Sequence, residues 1–173
     1  MMPHEKHRHS GPGKLAIVIV TVSTSRHALK AKGAEFSDES GDVASEEVQK
    51  LGYKIARREL VSDEPRMIRA QVAKFLKGKD DVLVFLGGTG VSSRDVTIET
   101  VRPSLDKELD GFGEMLRRVS LEKVGTAAVL TRATAGVAAG KLILCLPGSP
   151  DAARTSLQSF GREFPHIIFV ARS

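Results

Sequence analysis

Two aspartates, Asp63 and Asp95, combine with a glycine-rich loop in a pattern typical of phosphate chemistry. Asp95 follows the run GGTG at 87–90, and Asp63 follows a strand-like segment at 54–61. Glycines let backbone N–H groups approach an anion closely, and a neighbouring carboxylate can hold Mg²⁺ against the phosphates of a substrate. The pattern therefore indicates a metal-assisted site for a phosphorylated ligand. Asp63 also has a second interpretation, since together with Ser62 it can cap the helix that follows.

Three short loops follow apolar segments and offer small or hydroxyl-bearing residues to a ligand. The carboxyl ends of parallel strands lie at one edge of a sheet, so we expect the three loops to meet there. Taken singly, the glycine run also fits a tight turn, and Ser149 followed by Pro150 also fits a plain helix cap. The ligand-binding residues predicted in these loops are Ser25, Gly87, Gly88, Thr89, Gly90, Gly148 and Ser149.

The segments that position these loops alternate between strand and helix patterns. Short runs rich in Val, Ile and Leu are typical of strands buried on both faces, and they lie at 15–22, 82–86 and 142–146. The more polar segment 54–61 is typical of an edge strand. Apolar stripes at helical spacing predict helices at 42–51, 63–78, 112–119 and 152–160. This alternation predicts a single α/β domain at 14–173, a three-layer sandwich with a mostly parallel central sheet.

Composition narrows the class of protein further. The 173 residues suffice for one domain, and 41% of them are hydrophobic, as in soluble globular proteins. One cysteine excludes an intrachain disulfide, and no apolar run reaches the ~18 residues of a membrane span. The beginning of the chain is polar and lacks a signal-peptide pattern, so we expect no membrane association and a cytoplasmic location.

The basic character of the chain has two interpretations. A net charge of +5 fits either an anionic partner or a mildly basic surface without a specific role. No block of five basic residues occurs, and one Tyr with no Trp leaves little for base stacking, so a dedicated nucleic-acid binder is disfavoured. Residues 1–13 lack apolar periodicity and are expected to form a disordered tail, whose histidines lack the fixed geometry of a metal site.

Several motifs resemble the MoaB/MogA family of molybdenum cofactor biosynthesis proteins. They are GGTGVSSRDVTIE at 87–99, GFGE at 111–114, PGSPDAA at 147–153, DESG at 38–41 and VSDE at 61–64. Their order and distances match the family over nearly the whole segment from 14 to about 160. The resemblance implies a three-layer α/β fold, a homotrimer or homohexamer, and partners among other cofactor-biosynthesis proteins. It also implies binding of molybdopterin and its adenylylation with MgATP.

The resemblance also implies residue roles. Asp95 matches an essential acid in the TGxxxRDVTP segment of the family, and Asp63 matches a second essential acid after the second strand. The glycine loop and the PGSP turn would cradle the pterin and its phosphate. Arg94 either meets a phosphate or pairs with a neighbouring acid. A phosphate monoester is largely ionised at neutral pH, so we interpret both aspartates as ligands of Mg²⁺ or its water rather than as general bases.

Two positions depart from the family pattern. Ser25 stands where the family often has an aspartate, and Ile98 stands where it usually has a proline. Ile98, together with the Ser40-Gly41 pair, favours the MoaB branch. Two other functions stay open besides an adenylyltransferase: a pterin-binding scaffold without catalysis, and a hydrolase or nucleotide-binding protein unrelated to the cofactor. The choice between molybdenum and tungsten is open as well.

We expect deletion of residues 1–13 to leave the melting temperature and ligand binding unchanged, because this segment has no apolar pattern with which to join a core. Differential scanning fluorimetry of the full and shortened chains checks this expectation. A melting temperature lowered by several degrees in the shortened chain would show that the tail packs against the domain.

Overall fold

A computed structural model describes residues 13–173. Residues 1–12 of the predicted tail therefore lie outside the described part of the chain. One six-stranded sheet forms the centre, with the strands in the order β2-β1-β3-β6-β5-β4. The strands are β1 (Ala16–Val22), β2 (Lys54–Val61), β3 (Val82–Leu86), β4 (Lys107–Glu108), β5 (Thr134–Ala138) and β6 (Lys141–Leu146).

Four of the six strands run parallel, as their composition predicts. β1 pairs in parallel with both β2 and β3, and β3 pairs in parallel with β6. All five residues of β3 are buried, as expected for a strand covered by helices on both faces. β5 joins β6 by a tight antiparallel hairpin whose two turn residues, Ala139 and Gly140, have positive φ angles of 50° and 70°.

Seven α-helices cover the sheet within residues 13–173. They are α1 (Thr24–Ala31), α2 (Glu39–Lys50), α3 (Pro65–Lys77), α4 (Thr97–Val101), α5 (Asp110–Val124), α6 (Pro150–Phe160) and α7 (Phe164–Ala171). Apolar residues of α2, α5, α6 and α7 form one core cluster with the sheet, and those of α3 and α4 form a second cluster with its other side. The predicted three-layer sandwich is confirmed.

Three helices differ from what the sequence patterns predict. The helix predicted at 42–51 begins earlier, at Glu39, because the Asp38 carboxylate caps it by accepting from the Gly41 N–H. Helix α1 was not predicted, since none of its residues is buried and it has no apolar stripe to detect. The predicted stripe on α5 is also only partly internal: Leu116 is buried, whereas Met115 is 58% exposed.

The predicted edge strand is confirmed. β2 lies at one end of the sheet and alternates exposed and partly buried residues along most of its length. Its arginines form ion pairs that join it to neighbouring segments: Arg57 pairs with Asp80, and Arg58 pairs with Asp38 and Asp42. Charged side chains on an edge also discourage pairing with a strand of another molecule.

Two ionisable side chains, Cys145 and Glu47, are buried. Cys145 on β6 is fully buried, and burial raises the pKa of its thiol. Glu47 on α2 is 3% exposed, and its carboxylate accepts hydrogen bonds from Lys50 at 2.9 Å and from Gln158 of α6 at 3.1 Å. The hydrogen bond from Lys50 lowers the pKa of Glu47 against the opposing effect of burial.

None of the helices within residues 13–173 is long and apolar enough to span a membrane.

We expect Glu47→Gln to lower the free energy of unfolding at neutral pH by about 1–2 kcal/mol, because it removes charge-assisted hydrogen bonds at a buried position. The pKa of Glu47 is lowered in the folded protein, so its carboxylate stabilises the fold above the unfolded-state pKa. That contribution disappears as the pH falls through the folded-state pKa. Urea unfolding of both proteins should therefore show a difference that stays constant from about pH 7 to about pH 5 and shrinks as the pH falls further.

Glu46→Gln provides the control for this prediction. Glu46 is an exposed neighbour on the same helix, so its substitution should change the free energy of unfolding by less than ~0.5 kcal/mol. A difference between wild type and Glu47→Gln that stays constant across the pH range would contradict the assigned role of the carboxylate.

Candidate functional site

A cavity of about 570 Å³ opens where β1, β3 and β6 end. The three loops predicted from the sequence meet there, at the carboxyl edge of the parallel strands. All seven loop residues named from the sequence line this cavity, and Asp95 joins them: Ser25, Gly87, Gly88, Thr89, Gly90, Gly148, Ser149 and Asp95. The volume is in the range of pockets that hold small molecules.

The glycine loop at 87–90 follows β3 directly and has a conformation that side chains resist. Gly87 and Gly88 have φ angles of +104° and +64°. A Cβ at Gly87 would lie 2.5 Å from the carbonyl oxygen of Val22, at the end of the neighbouring strand. The loop is therefore more than a turn that any residue could form, because both backbone angles and space require glycine here.

The loop after β6 packs directly on the glycine loop. A Cβ at Gly148 would lie 3.0 Å from the Cα of Gly87. Ser149 then caps α6, with its Oγ accepting from the N–H of Ala152 at 3.2 Å, and Pro150 is the first helical residue. The predicted cap is confirmed, and the hydroxyl of Ser149 keeps its own hydrogen for donation.

Asp63 lies against the glycine loop, but not as the cap of the following helix. Helix α3 begins after Glu64 without any side-chain cap, so the capping interpretation of Ser62 and Asp63 is wrong. Instead, Asp63 Oδ2 accepts from both the N–H and the Oγ1 hydroxyl of Thr24, each at 2.8 Å. Its other oxygen, Oδ1, would lie 3.0 Å from a Cβ at Gly88. Thr24 thus fixes one oxygen of Asp63 while the other lies beside the loop.

Asp95 contacts the opposite end of the same loop. A Cβ at Gly90 would lie 2.8 Å from Asp95 Oδ2, and that oxygen also accepts from the N–H of Ser92 at 2.9 Å. The glycine loop is therefore flanked by two carboxylates, Asp63 at Gly88 and Asp95 at Gly90. Within residues 13–173, neither carboxylate has a lysine or arginine as an ion-pair partner.

The donor set fits Mg²⁺ bound jointly with a substrate. Across the described part of the chain, no cluster of three or more His, Cys, Asp or Glu side chains is arranged to hold a metal by itself. Mg²⁺ commonly takes one or two protein carboxylates and completes its shell with water and substrate phosphates. Two unpaired carboxylates beside an anion-binding loop match that mode of binding.

Two predicted site residues, Asp63 and Arg94, are not among the residues that line the cavity. Asp63 nevertheless lies beside Gly88 of the glycine loop, whereas Arg94 is exposed and has no ion pair within residues 13–173. Its backbone N–H donates to Ser92 Oγ at 3.3 Å. Its contact with a phosphate stays a prediction.

Three other basic residues line the cavity: Arg26, Lys123 and Arg132. Lys123 Nζ donates to Thr155 Oγ1 at 2.7 Å, and Arg132 Nη1 donates to the carbonyl oxygen of Gly90 at 2.7 Å. Arg132 also pairs with Glu99, whereas Arg26 and Lys123 lie 4.0 Å from the nearest carboxylates, so these two are the cations available to an anionic ligand. Lys123 and Arg132 were missed because they lie outside the glycine motifs, and only folding brings them to the strand ends.

Comparison with known proteins gives the same assignment as the motifs. A family profile described as "Probable molybdopterin binding domain" matches residues 18–166. A protein of Methanocaldococcus jannaschii named "Probable molybdopterin adenylyltransferase" is 39% identical over 161 residues, which are 92% of this chain and 96% of that protein. The molybdopterin adenylyltransferase of Pyrococcus furiosus is 40% identical over 172 residues, 97% of this chain and 98% of its own length.

Solved structures agree in fold as well as in sequence. The crystal structure of the tungsten cofactor synthesizing protein MoaB from Pyrococcus furiosus matches with a TM-score of 0.82 at 38% identity, covering 94% of this chain and 99% of that one. A molybdenum cofactor biosynthesis protein B matches with a TM-score of 0.84 at 36% identity, covering 93% and 98%. The profile, the relatives and the fold together confirm the resemblance, and the chain belongs to the MoaB/MogA family of molybdenum cofactor biosynthesis proteins.

Proposed function

We propose that this chain is a molybdopterin adenylyltransferase that transfers AMP from MgATP to the phosphate of molybdopterin. The observation that carries the proposal is the pair of unpaired carboxylates, Asp63 and Asp95, on the two ends of one glycine loop. The naming of two relatives of nearly equal length as molybdopterin adenylyltransferases supports it. The chain works in the cytoplasm, where ATP is available, alongside other proteins that make the cofactor.

The reaction joins two anions and releases a third. A phosphate oxygen of molybdopterin attacks the α-phosphorus of ATP, the bond from that phosphorus to the bridging oxygen of the β-phosphate breaks, and pyrophosphate leaves. A phosphate monoester has its second pKa near 6, so its oxygen is already anionic at neutral pH and no general base is needed. The barrier then lies in charge repulsion and alignment, which the site must offset.

The acids and the loops divide these tasks. Asp95 and the loop-facing oxygen of Asp63 would hold Mg²⁺, which would supply positive charge beside the phosphates. Backbone N–H groups of Gly88 and Gly90, with the hydroxyls of Thr89, Ser149 and Ser25, bind and orient phosphate oxygens. Donors fixed in this way need no reorganisation during the reaction.

The cations of the cavity wall hold the nucleotide's remaining charge. Arg26 lies on α1, with its guanidinium 4.0 Å from Asp38, and Lys123 lies near the end of α5, with its ammonium 4.0 Å from Asp151. Both interactions are long, so both side chains can turn toward a phosphate without breaking a close ion pair. Lys123 would exchange its hydrogen bond with Thr155 for a charged partner.

We also propose that the chain assembles as a homotrimer or homohexamer. The sequence offers two stretches that could pack between subunits, 112–115 and 167–170. The structure directs Phe112 against Phe160, with ring centroids 5.0 Å apart, and buries Ile168, but it leaves Met115 and Val170 exposed. Exposed apolar residues are most frequent on α5 and the 3₁₀ segment after it, Gly125–Leu130. They are Met115, Leu121, Val124, Val129 and Leu130, each more than half exposed. Val124 and Leu130 also line the cavity, so Met115, Leu121 and Val129 are the candidates for a subunit contact.

We expect Asp63→Asn and Asp95→Asn each to slow AMP transfer at least about a hundredfold, because each change removes a charged metal ligand worth roughly 3 kcal/mol in the transition state. Asparagine nearly preserves the volume and can still accept the hydrogen bonds from Thr24 or Ser92, so both variants should melt like wild type. The measurement is molybdopterin-dependent transfer of labelled AMP, together with pterin binding and thermal melting.

Asp110→Asn is the matched control for the two acids. Asp110 is an exposed carboxylate at the start of α5, outside the cavity lining, and its change should leave the rate within a factor of about two. If either site variant keeps more than about a third of the wild-type rate, that residue is not a metal ligand. If wild type binds the pterin tightly but transfers no AMP, a non-catalytic pterin-binding role replaces the enzyme.

We expect light scattering at micromolar concentration to give a mass of at least three chains. Met115→Lys places a charge at an exposed apolar position outside the cavity lining and should lower that mass while the monomer still folds. A wild-type mass of one chain would overturn the proposed assembly.

A further inference from the structure

We propose that Arg132 is a positioning residue for Asp95, acting by tethering both ends of the segment that carries this aspartate. The inference rests on the proposed function in giving Asp95 its task, and it adds a residue that none of the motifs contains. Arg132 lies in the loop before β5, on the far wall of the cavity from β1.

One guanidinium joins the two ends of the Asp95 segment. Arg132 Nη1 donates to the Gly90 carbonyl oxygen at 2.7 Å, five residues before Asp95, and Nη2 donates to the carboxylate of Glu99, four residues after it. A planar guanidinium has two donor edges in fixed directions, whereas a lysine ammonium is a single point. Arginine is therefore the residue suited to hold both partners at once.

The segment between these ends depends on such tethers. The side chains at 91–94 are exposed, with Val91 exposed by 71%, so they do not anchor the turn in the core. Its internal bonds run from the Asp95 N–H to the Ser92 carbonyl at 3.0 Å and from the Ser92 N–H back to Asp95 Oδ2 at 2.9 Å. These bonds shape the turn but do not fix it relative to the sheet.

The tether reaches the carboxylate through Gly90. A Cβ at Gly90 would lie only 2.8 Å from Asp95 Oδ2, so the position of the Gly90 backbone limits where the carboxylate can sit. Arg132 holds the carbonyl of that same residue. A second tether at Thr97, whose N–H donates to the Gly88 carbonyl at 2.9 Å, fixes the other side of the turn.

The charge of Arg132 is already neutralised, which favours positioning over direct contact with substrate. Burial acts to raise the pKa of Glu99, but the hydrogen bond and charge of Arg132, with a backbone hydrogen bond and the charge of Arg102, lower it overall. Glu99 is therefore ionised at neutral pH and pairs with Arg132. Asp95 is left without a cationic partner among residues 13–173, and its charge stays available to a metal.

Arg132 itself is attached to a rigid part of the fold. The adjoining Ala133 carbonyl packs closely on α5, where a Cβ at Gly113 would lie 2.8 Å from its oxygen. Two residues after Arg132, Thr134 begins β5 and pairs with Cys145 of β6. The guanidinium thus connects the exposed turn at 91–94 to the central sheet.

A double-mutant cycle tests whether Arg132 acts through Asp95. Arg132→Met should lower kcat for AMP transfer, measured at saturating MgATP, by at least about thirtyfold, and Arg132→Lys should recover only part of the loss. In an Asp95→Asn background, Arg132→Met should cost less than about threefold more. If the double variant instead loses the product of the two single-variant rate factors, Arg132 does not act through Asp95 and the inference is overturned. A change confined to KM for ATP that Arg132→Lys restores would show direct substrate contact and overturn it as well.

Two readouts without turnover separate this inference from the proposed function. In the full chain without ligand, Arg132→Met should speed amide hydrogen exchange in residues 88–97 at least about tenfold and leave β3 and β6 unchanged. Mn²⁺ binding, measured by electron paramagnetic resonance with a non-hydrolysable ATP analogue, should weaken by at least about tenfold. Arg118→Met removes an exposed arginine of α5 and should change neither quantity.

The results distinguish the positioning role of Arg132 from the proposed adenylyltransferase activity. If exchange in 88–97 is unchanged in Arg132→Met, the tether does not exist and the inference falls, whatever the activity. If exchange rises and Mn²⁺ binding weakens while wild type transfers no AMP, Arg132 still positions the metal site, and it is the adenylyltransferase proposal that fails.

Discussion

Backbone crowding where β1, β3 and β6 end determines the shape of the whole site. The Cα of Gly87 lies between the Val22 carbonyl of one neighbouring strand and Gly148 of the loop after the other. At this separation no side chain fits between the loops, and Gly87 also adopts a φ of +104°. The close approach turns two separate glycine loops into one continuous surface of backbone donors. The acids, hydroxyls and cations of the cavity are all arranged around that surface.

The charges of the site are kept in separate places. The two loop-flanking acids accept their hydrogen bonds from backbone N–H groups and a threonine hydroxyl, and neither has a cationic partner in the described part of the chain. The basic residues are held by other groups: Arg132 by Glu99 and Gly90, and Lys123 by Thr155. If acids and cations were paired with each other, a metal and a polyphosphate would have to break those pairs before binding. Asp63 and Asp95 therefore stay available to a metal, and Arg26 and Lys123, whose acidic partners are 4.0 Å away, stay available to phosphates.

The sequence was informative where a local pattern had a single physical cause. Apolar runs gave the three central strands, and small residues after them gave the loops that now line the cavity. At Asp63 the sequence was misleading, because an acid just before a helix has the same local pattern whether or not it caps that helix. In the structure Asp63 instead accepts a hydrogen bond from Thr24, which follows the neighbouring strand β1. Neither α1 nor the role of Arg132 was predicted from the sequence. Helix α1 has no buried face, and Arg132 lies outside every motif and gains its role only from tertiary contacts. Those contacts join residues more than 30 positions apart, beyond the reach of any periodicity.

The burial of Cys145 has a practical chemical consequence. It is the single cysteine of the chain, it is fully buried in β6, and its raised pKa keeps it as a neutral thiol. Alkylating agents and disulfides react with exposed thiolates, so the native protein is inert toward both. Oxidation cannot link copies of the folded chain through this residue, and storage in air should not inactivate it by that route. Any cysteine introduced on the surface would then be the one reactive thiol of the molecule, and a spin label or fluorophore could be attached there without removing the native residue.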